Sequence, residues 1–238
     1  MKKSIYKRIL IKVSGEALAG KDRTGIDDDV LESIGKRIKY VREELGVEVA
    51  IVVGGGNFWR GAKNPEFDRT DADHMGMLAT VMNALALADK LRDLGMKPFP
   101  MAAIQMDRIC EFYVKSAADR HLKEGGVVIL GCGTGSPYFT TDTGAALRAA
   151  ELKCDVILLA INVDAVYDKD PVLYPDAKKY DKIAMSDVLA GGLKVMDLTA
   201  TAFCLDNKIP VKVFGVSDPD NIVRACLGEK IGTDVVCK

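Results

Sequence analysis

Short apolar runs alternate with helical patterns along almost the whole 238-residue chain, and no other feature restricts its fold as much. Strands are expected at 8–13, 47–53, 97–103, 127–131, 155–163, 210–216 and 233–236. They are rich in β-branched residues and nearly continuous in apolarity, as parallel strands covered on both faces should be. Helical patterns fill 28–45, 74–94, 111–124, 141–153, 196–207 and 219–227. Alternation at this spacing predicts an α/β fold, a three-layer αβα sandwich around a mostly parallel central sheet. No composition break marks a linker and no repeat interrupts the pattern, so residues 1–238 read as a single domain. The polar stretches 61–73 and 168–182 read as mobile loops.

Composition narrows the function classes. With 33 Lys and Arg against 34 Asp and Glu, the net charge is −1. The chain therefore has no general pull toward nucleic acid or an anionic membrane. Its six cysteines are scattered with no CxxC pair, and its two histidines, His74 and His121, stand at no metal-ligand spacing. Free thiols in a reducing cytosol, and no protein-held metal, are the expectation. The basic, then apolar N-terminus mimics a signal peptide, but Lys12 breaks the apolar run and no small-residue cleavage site follows, so it reads as a first strand. No apolar stretch is long enough to span a membrane.

In a sheet of this kind ligands gather at the carboxyl ends of the strands. Those ends read Lys12-Val13-Ser14-Gly15, Gly54-Gly55-Gly56-Asn57, Gly131-Cys132-Gly133-Thr134-Gly135 and Asn162-Val163-Asp164. Three of the four carry glycine and offer backbone N–H groups where anions are favoured. Glycines also end strands for steric reasons, so one cluster is weak evidence, whereas three on one edge are much stronger. The dinucleotide fingerprint GxGxxG fails, because Trp59 occupies its third glycine position, although Asp73 lies about where its ribose-binding acid would. The Walker loop fails too. The pattern is that of a phosphate binder with neither standard loop.

Charged residues support that pattern, each with a plainer alternative. Lys12 interrupts an apolar strand at its carboxyl end, either as a snorkelling strand-end lysine or as a cation aimed at phosphate. Arg60 follows the glycine cluster and can make a bidentate phosphate contact. Asp197 is a helix N-cap and, near Lys12 and Lys194, a carboxylate that orients both ammonium groups. Thr140 or Thr141 caps the helix that Asp142 opens, a second anion site. Asp73 is either a helix N-cap or an acceptor for ribose hydroxyls. Beside it, His74 has no strong claim to a catalytic role.

Six stretches carry a resemblance: KVSGEAL (12–18), GGGNFWRG (54–61), DHMGMLATVMN (73–83), GTGSPYFTTD (133–142), NVDAVYDKDP (162–171) and LKVMDLTA (193–200). In their order and over essentially the whole chain they resemble the bacterial-type UMP kinases of the amino acid kinase family. The resemblance implies the amino acid kinase fold and transfer of the γ-phosphoryl of ATP to UMP, with Mg²⁺ bound through the ATP phosphates. It places ATP contacts on Lys12, Val13, Ser14, Gly15, Gly56, Arg60, Ile161, Tyr167 and Asp170. UMP contacts fall on Gly55, Asp73, Thr134, Gly135, Ser136, Pro137, Tyr138, Phe139, Thr140 and Thr141. Catalytic roles fall on Lys12, Arg60, Asp142 and Asp197. It also implies a cytoplasmic homohexamer activated by GTP and inhibited by UTP, with Gly20, Lys21, Asp22, Arg23, Thr24 and Gly25 in the position of the effector loop. Two departures stand out: Ile161 where Thr is common, and Ala165 for the usual Gly.

The residue chemistry fits this implication. Phosphoryl transfer needs alignment and charge neutralisation more than covalent catalysis. Lys12 and Arg60 would offset charge on the transferred group while Asp197 holds Lys12. Tyr138 and Phe139 would pack on uracil and ribose, with core packing the alternative for Phe139. Two rivals are a kinase of the same fold acting on a carboxylate or carbamate, and a non-catalytic nucleotide- or oxyanion-binding storage protein.

Overall fold

The computed structural model describes residues 3–22, 24–61, 64–193 and 195–238. Among the described residues, nine strands form one sheet: β1 (Arg8–Val13), β2 (Glu48–Val53), β3 (Pro98–Ala102), β4 (Glu111–Phe112), β5 (Val127–Gly131), β6 (Val156–Ile161), β7 (Lys182–Ala184), β8 (Val211–Gly215) and β9 (Thr233–Val236). Their order is β4-β3-β5-β2-β1-β6-β8-β9-β7. Every neighbouring pair runs parallel except β8 with β9. The described helices are α1 (Gly15–Leu18), α2 (Asp28–Glu43), α3 (Arg69–Asp93), α4 (Lys115–Lys123), α5 (Thr141–Leu152), α6 (Met185–Ala190), α7 (Leu198–Asp206) and α8 (Asp220–Cys226).

Strand alternation divides the core in two. Ile9, Ile11 and Val13 of β1 enter one cluster with Val49, Ile51 and Val53 of β2, closed by apolar residues of α2, α3 and α8. Leu10, Ala50 and Val52 enter the other, against α4, α5, α6 and α7. This is the expected three-layer α/β sandwich. Because side chains alternate along a strand, Lys12 shares the face of Leu10 and therefore points toward the α5 layer.

Three expectations need correction. The stretch 61–73 is not wholly loop, since α3 begins at Arg69, capped by Asp68, whose Oδ1 accepts from Thr70 N at 2.9 Å and Asp71 N at 3.2 Å. A polar first turn at a helix N-terminus has the composition of a loop. The pattern at 111–124 divides into β4 and α4, and the stretch 168–182 ends as β7 begins. Strands β4 and β7 and helices α1 and α6 are too short for a periodic signal.

Candidate active site

Strands β5, β2, β1 and β6 are consecutive in the sheet, so their four carboxyl ends lie side by side. The chain passes from β1 to β2 on one side and, after β5, crosses to β6 on the other side of β1, which makes this edge the topological switch point. Lys12 stands at its centre, in register with Val52 and Leu159 and only 8% exposed.

Two glycine turns meet here almost backbone to backbone. A Cβ added to Gly15 would fall 2.4 Å from Asn57 Oδ1 and 2.7 Å from Gly56 N, and one added to Gly54 would fall 2.8 Å from Gly15 N. Glycine is required by this approach, not merely by strand termination. A buried amide pair braces the contact from behind. Asn83 Nδ2 donates to Gly54 O at 2.7 Å and to Asn57 Oδ1 at 2.7 Å, and Asn57 Nδ2 donates to Asn83 Oδ1 at 2.9 Å and Gly25 O at 2.6 Å. Each fully used amide fixes the turn, because an unpaired one this deep would be costly. Arg60 lies against Gly56, its Nε 3.0 Å from where a Cβ there would sit, and its guanidinium is ion-paired with Glu16 of α1.

The loop after β5 is pinned by α3. Cys132 and Tyr138 adopt left-handed backbone, with φ of 62° and 68°, a conformation that non-glycine residues hold only when their surroundings enforce it. Cys132 N donates to Thr80 Oγ1 at 2.7 Å, and Tyr138 N donates to Asp73 Oδ2 at 2.8 Å. Burial pushes the Cys132 thiol up to about 11, so it stays protonated and unreactive near neutral pH. Asp73 is thus not the N-cap that the sequence allows: it lies one turn inside α3, bonded to Arg69 Nε at 2.8 Å and to the loop. Gly55, Asp73, Phe139, Thr140 and Thr141 line a cavity of about 150 Å³, together with Trp59, Gly76, Met77 and Thr80. Phe139 is half exposed and lines this cavity, so it is not a core residue. Thr134, Gly135, Ser136, Pro137 and Tyr138 belong to the same loop outside the lining, and His74 is exposed.

On the other side, α5 brings its first turn to Lys12, and the N-terminus of α7 packs beside that turn. Thr140 caps α5, accepting from Asp142 N at 3.0 Å and Thr143 N at 3.3 Å. Asp197 caps α7, accepting from Ala200 N at 2.8 Å. The expectation that Asp197 holds Lys12 is corrected: among the described residues the carboxylate paired with Lys12 is Asp142, with Oδ1 2.7 Å from Nζ. Asp197 acts one step further out, accepting from the hydroxyls of Thr140 and Thr143. Both carboxylates sit at helix N-termini that the sheet brings together, so spacing along the chain does not say which one meets the lysine. Lys194 lies outside the described residues.

A second cavity, of about 350 Å³, opens beyond β6. It gathers Ile161, Tyr167 and Asp170 with Ala165, Val166 and Leu193. Tyr167 Oη donates to Asp164 Oδ1 at 2.8 Å, which holds the ring at its rim. Ile161 turns this wall apolar, and Ala165 is buried without positive φ, so it fits its turn as alanine. Gly20, Lys21 and Asp22 form one turn of 3-10 helix, and Gly25 N and Thr24 Oγ1 both donate to Asn57 O, at 3.3 and 3.2 Å. Arg23 lies outside the described residues. Glu16, Gly76, Thr80, Asn83 and Thr143 escape sequence reasoning as site residues. Polar Thr80 and Asn83, spaced three apart among apolar neighbours in DHMGMLATVMN, are the signal that points to two of them.

Two glycine turns set beside a buried lysine that is paired at the start of α5, with one cavity on each side, are the arrangement of a phosphotransferase. Residues 7–215 match the model of the amino acid kinase family, and the chain belongs to that family. Among solved structures it is similar to the UMP kinase from Bacillus anthracis, at 38% identity and a TM-score of 0.94, covering 98% of this chain and 97% of that one. The UMP kinase from Ureaplasma parvum is 39% identical with a TM-score of 0.91, at 99% and 100% coverage. The uridylate kinase from Archaeoglobus fulgidus is 28% identical with a TM-score of 0.73, at 96% and 99%.

Proposed function

We propose that the chain, acting as one domain, is a UMP kinase that transfers the γ-phosphoryl of ATP to UMP, giving UDP and ADP for pyrimidine nucleotide biosynthesis. The observation that carries this reading is the Lys12–Asp142 pair, seated between the two glycine turns and the N-terminus of α5. The cavity beyond β6 suits the ATP base, with Ile161, Tyr167 and Asp170 at its wall. Lys12, Val13, Ser14, Gly15, Gly56 and Arg60 suit the donor phosphates. The cavity at α3 suits UMP.

Transfer forms a bond from a UMP phosphate oxygen to the γ-phosphorus and breaks its bond to the β–γ bridging oxygen, which leaves with ADP. A phosphate monoester has a second pKa near 6 and so presents an anionic oxygen at neutral pH, and no general base is needed. Lys12 neutralises charge on the transferred group, Asp142 fixes the ammonium, and Asp197 fixes Thr140 and Thr143 at the start of α5. The site suits a Mg²⁺ carried by the nucleotide: a carboxylate oxygen of Asp142, held on Lys12 at 2.7 Å, stands at the first turn of α5. Such an oxygen beside phosphate turns is the donor type Mg²⁺ takes alongside phosphates and water. When bound, the ion supplies further charge neutralisation.

Regulation and assembly belong to the same proposal. The chain works in the cytoplasm as a homohexamer, with GTP raising and UTP lowering activity through the loop 20–25. Met75, Leu78 and Met82, exposed at helical spacing on α3, support a self-associating face. No described helix is long and apolar enough to cross a membrane. Phosphorus NMR of ATP, UMP and Mg²⁺ with the enzyme tests the reaction: UDP and ADP signals should grow together. ADP with inorganic phosphate and no UDP would overturn it.

A further inference from the structure

The floor of the α3 cavity lacks one side chain. Asp73, Gly76, Met77 and Thr80 are spaced three and four apart along α3, so they share the face that lines this cavity. Asp73 and Thr80 are both engaged in holding the loop after β5. Gly76, between them, holds nothing.

No demand of the fold explains glycine at 76. The residue is in the interior of a 25-residue helix, with no positive φ. Among the described residues, a Cβ there would meet only the edge of the Trp59 ring, at 3.8 Å, an ordinary van der Waals distance. The contrast with Gly55, packed directly on the α3 backbone, is sharp, since a Cβ there would strike Gly76 O at 2.7 Å. Glycine in a helix interior is also less stable than alanine. What an added side chain would occupy is the cavity itself.

We propose that Gly76 is a specificity-determining residue: its missing side chain lets the nucleoside part of the acceptor monophosphate lie against the α3 backbone, between Asp73 and Thr80. This rests on the reading of that cavity as the acceptor site. Trp59, whose Nε1 donates to Ala72 O at 2.8 Å, is pinned to the same helix beside Gly76 and cannot yield without breaking that bond.

The test is Gly76→Ala, with Gly76→Ser as a second variant, measured by thermal melting and by steady-state kinetics with UMP and ATP. Stability and acceptor binding should move in opposite directions. Gly76→Ala should raise Tm by about 1–4 °C through helix propensity. It should raise the KM for UMP about tenfold, the scale of overpacking one carbon into a fitted site, and leave the KM for ATP within about twofold. Gly76→Ser should show the same split in KM. An active wild type whose variants keep their KM for UMP overturns the inference about Gly76 alone. So does a fall in Tm for Gly76→Ala, because the side chain would then be meeting protein rather than open space. A wild type that does not turn over UMP overturns the reading of the cavity as well.

Discussion

Lys12 Nζ lies 2.7 Å from Asp142 Oδ1, which ties the central strand of the sheet to the first turn of α5. The lysine is held by its partner rather than snorkelling from a strand end, and its charge stands between the strand ends and the first turn of α5. Lys12→Ala should lower kcat roughly 100-fold or more, with little change in the KM for UMP. Asp142→Asn should also lower kcat, and the double variant should lose much less than the product of the two losses, because the residues act as one unit. Additive losses in the cycle would show that the pair is not functional.

Asp197 reaches the lysine only through α5. Asn at 197 still caps α7 but bonds the two threonine hydroxyls less strongly. Asp197→Asn should therefore keep Tm within about 4 °C of the parent and lower kcat more than about tenfold. A stable variant with unaltered kcat would reduce Asp197 to a cap.

Asp73 accepts from Tyr138 N and Arg69, and a nucleotide ribose would compete for the same carboxylate. Hydrogen bonds to charged groups are worth about 1.5–3 kcal/mol, so the preference for UMP over dUMP in kcat/KM should be about 10- to 100-fold. Asp73→Asn should narrow it while leaving the melting temperature nearly unaltered. If the ratio survives intact, the carboxylate only latches the loop and the ribose is read elsewhere.

Glu16 pairs with Arg60, the cation assigned to the donor phosphates. Both side chains are partly exposed, and such pairs are worth about 0.2–1 kcal/mol. Glu16→Gln should therefore lower the KM for ATP by up to about fivefold at low salt, and by less as salt rises. A raised KM would mean that Glu16 orients Arg60 instead of competing with phosphate.

At the opposite end of the sheet, Lys123 and Arg8 hold the Asp119 carboxyl down at about 2. A depressed folded-state value favours the ionised form. The resulting stability is present above the ordinary carboxylate pKa near 4 and is lost as pH falls from about 4 to 2. In thermal melts the wild type should exceed Asp119→Asn at pH 6, and the gap should close by pH 2. A gap of constant size would show that packing, not ionisation, separates the two.

The long buried strands and the amphipathic helices were legible in the sequence because burial on two faces or on one leaves a period that can be counted. The four carboxyl ends were legible too, since one fold rule collects them. What escaped depends on contacts across the chain. The pairing of Lys12 with Asp142 rather than Asp197 is decided by where two helix N-termini land. The bracing of Gly54 by Asn83 requires two segments 29 residues apart to meet. The start of α3 hid in a run of polar residues that serve its N-terminus and look like loop.

In the proposed reaction, this edge of the sheet joins two nucleotide phosphates. ADP release measured with ATP and UMP, CMP, dUMP, a carboxylate or carbamate in parallel, for the wild type and Lys12→Ala, tests it most directly. Release should be fast with UMP, slower with CMP and dUMP, at background with carboxylate and carbamate, and near background for Lys12→Ala throughout. Release that favours a carboxylate or carbamate, or ATP binding with no release for any acceptor, would contradict it.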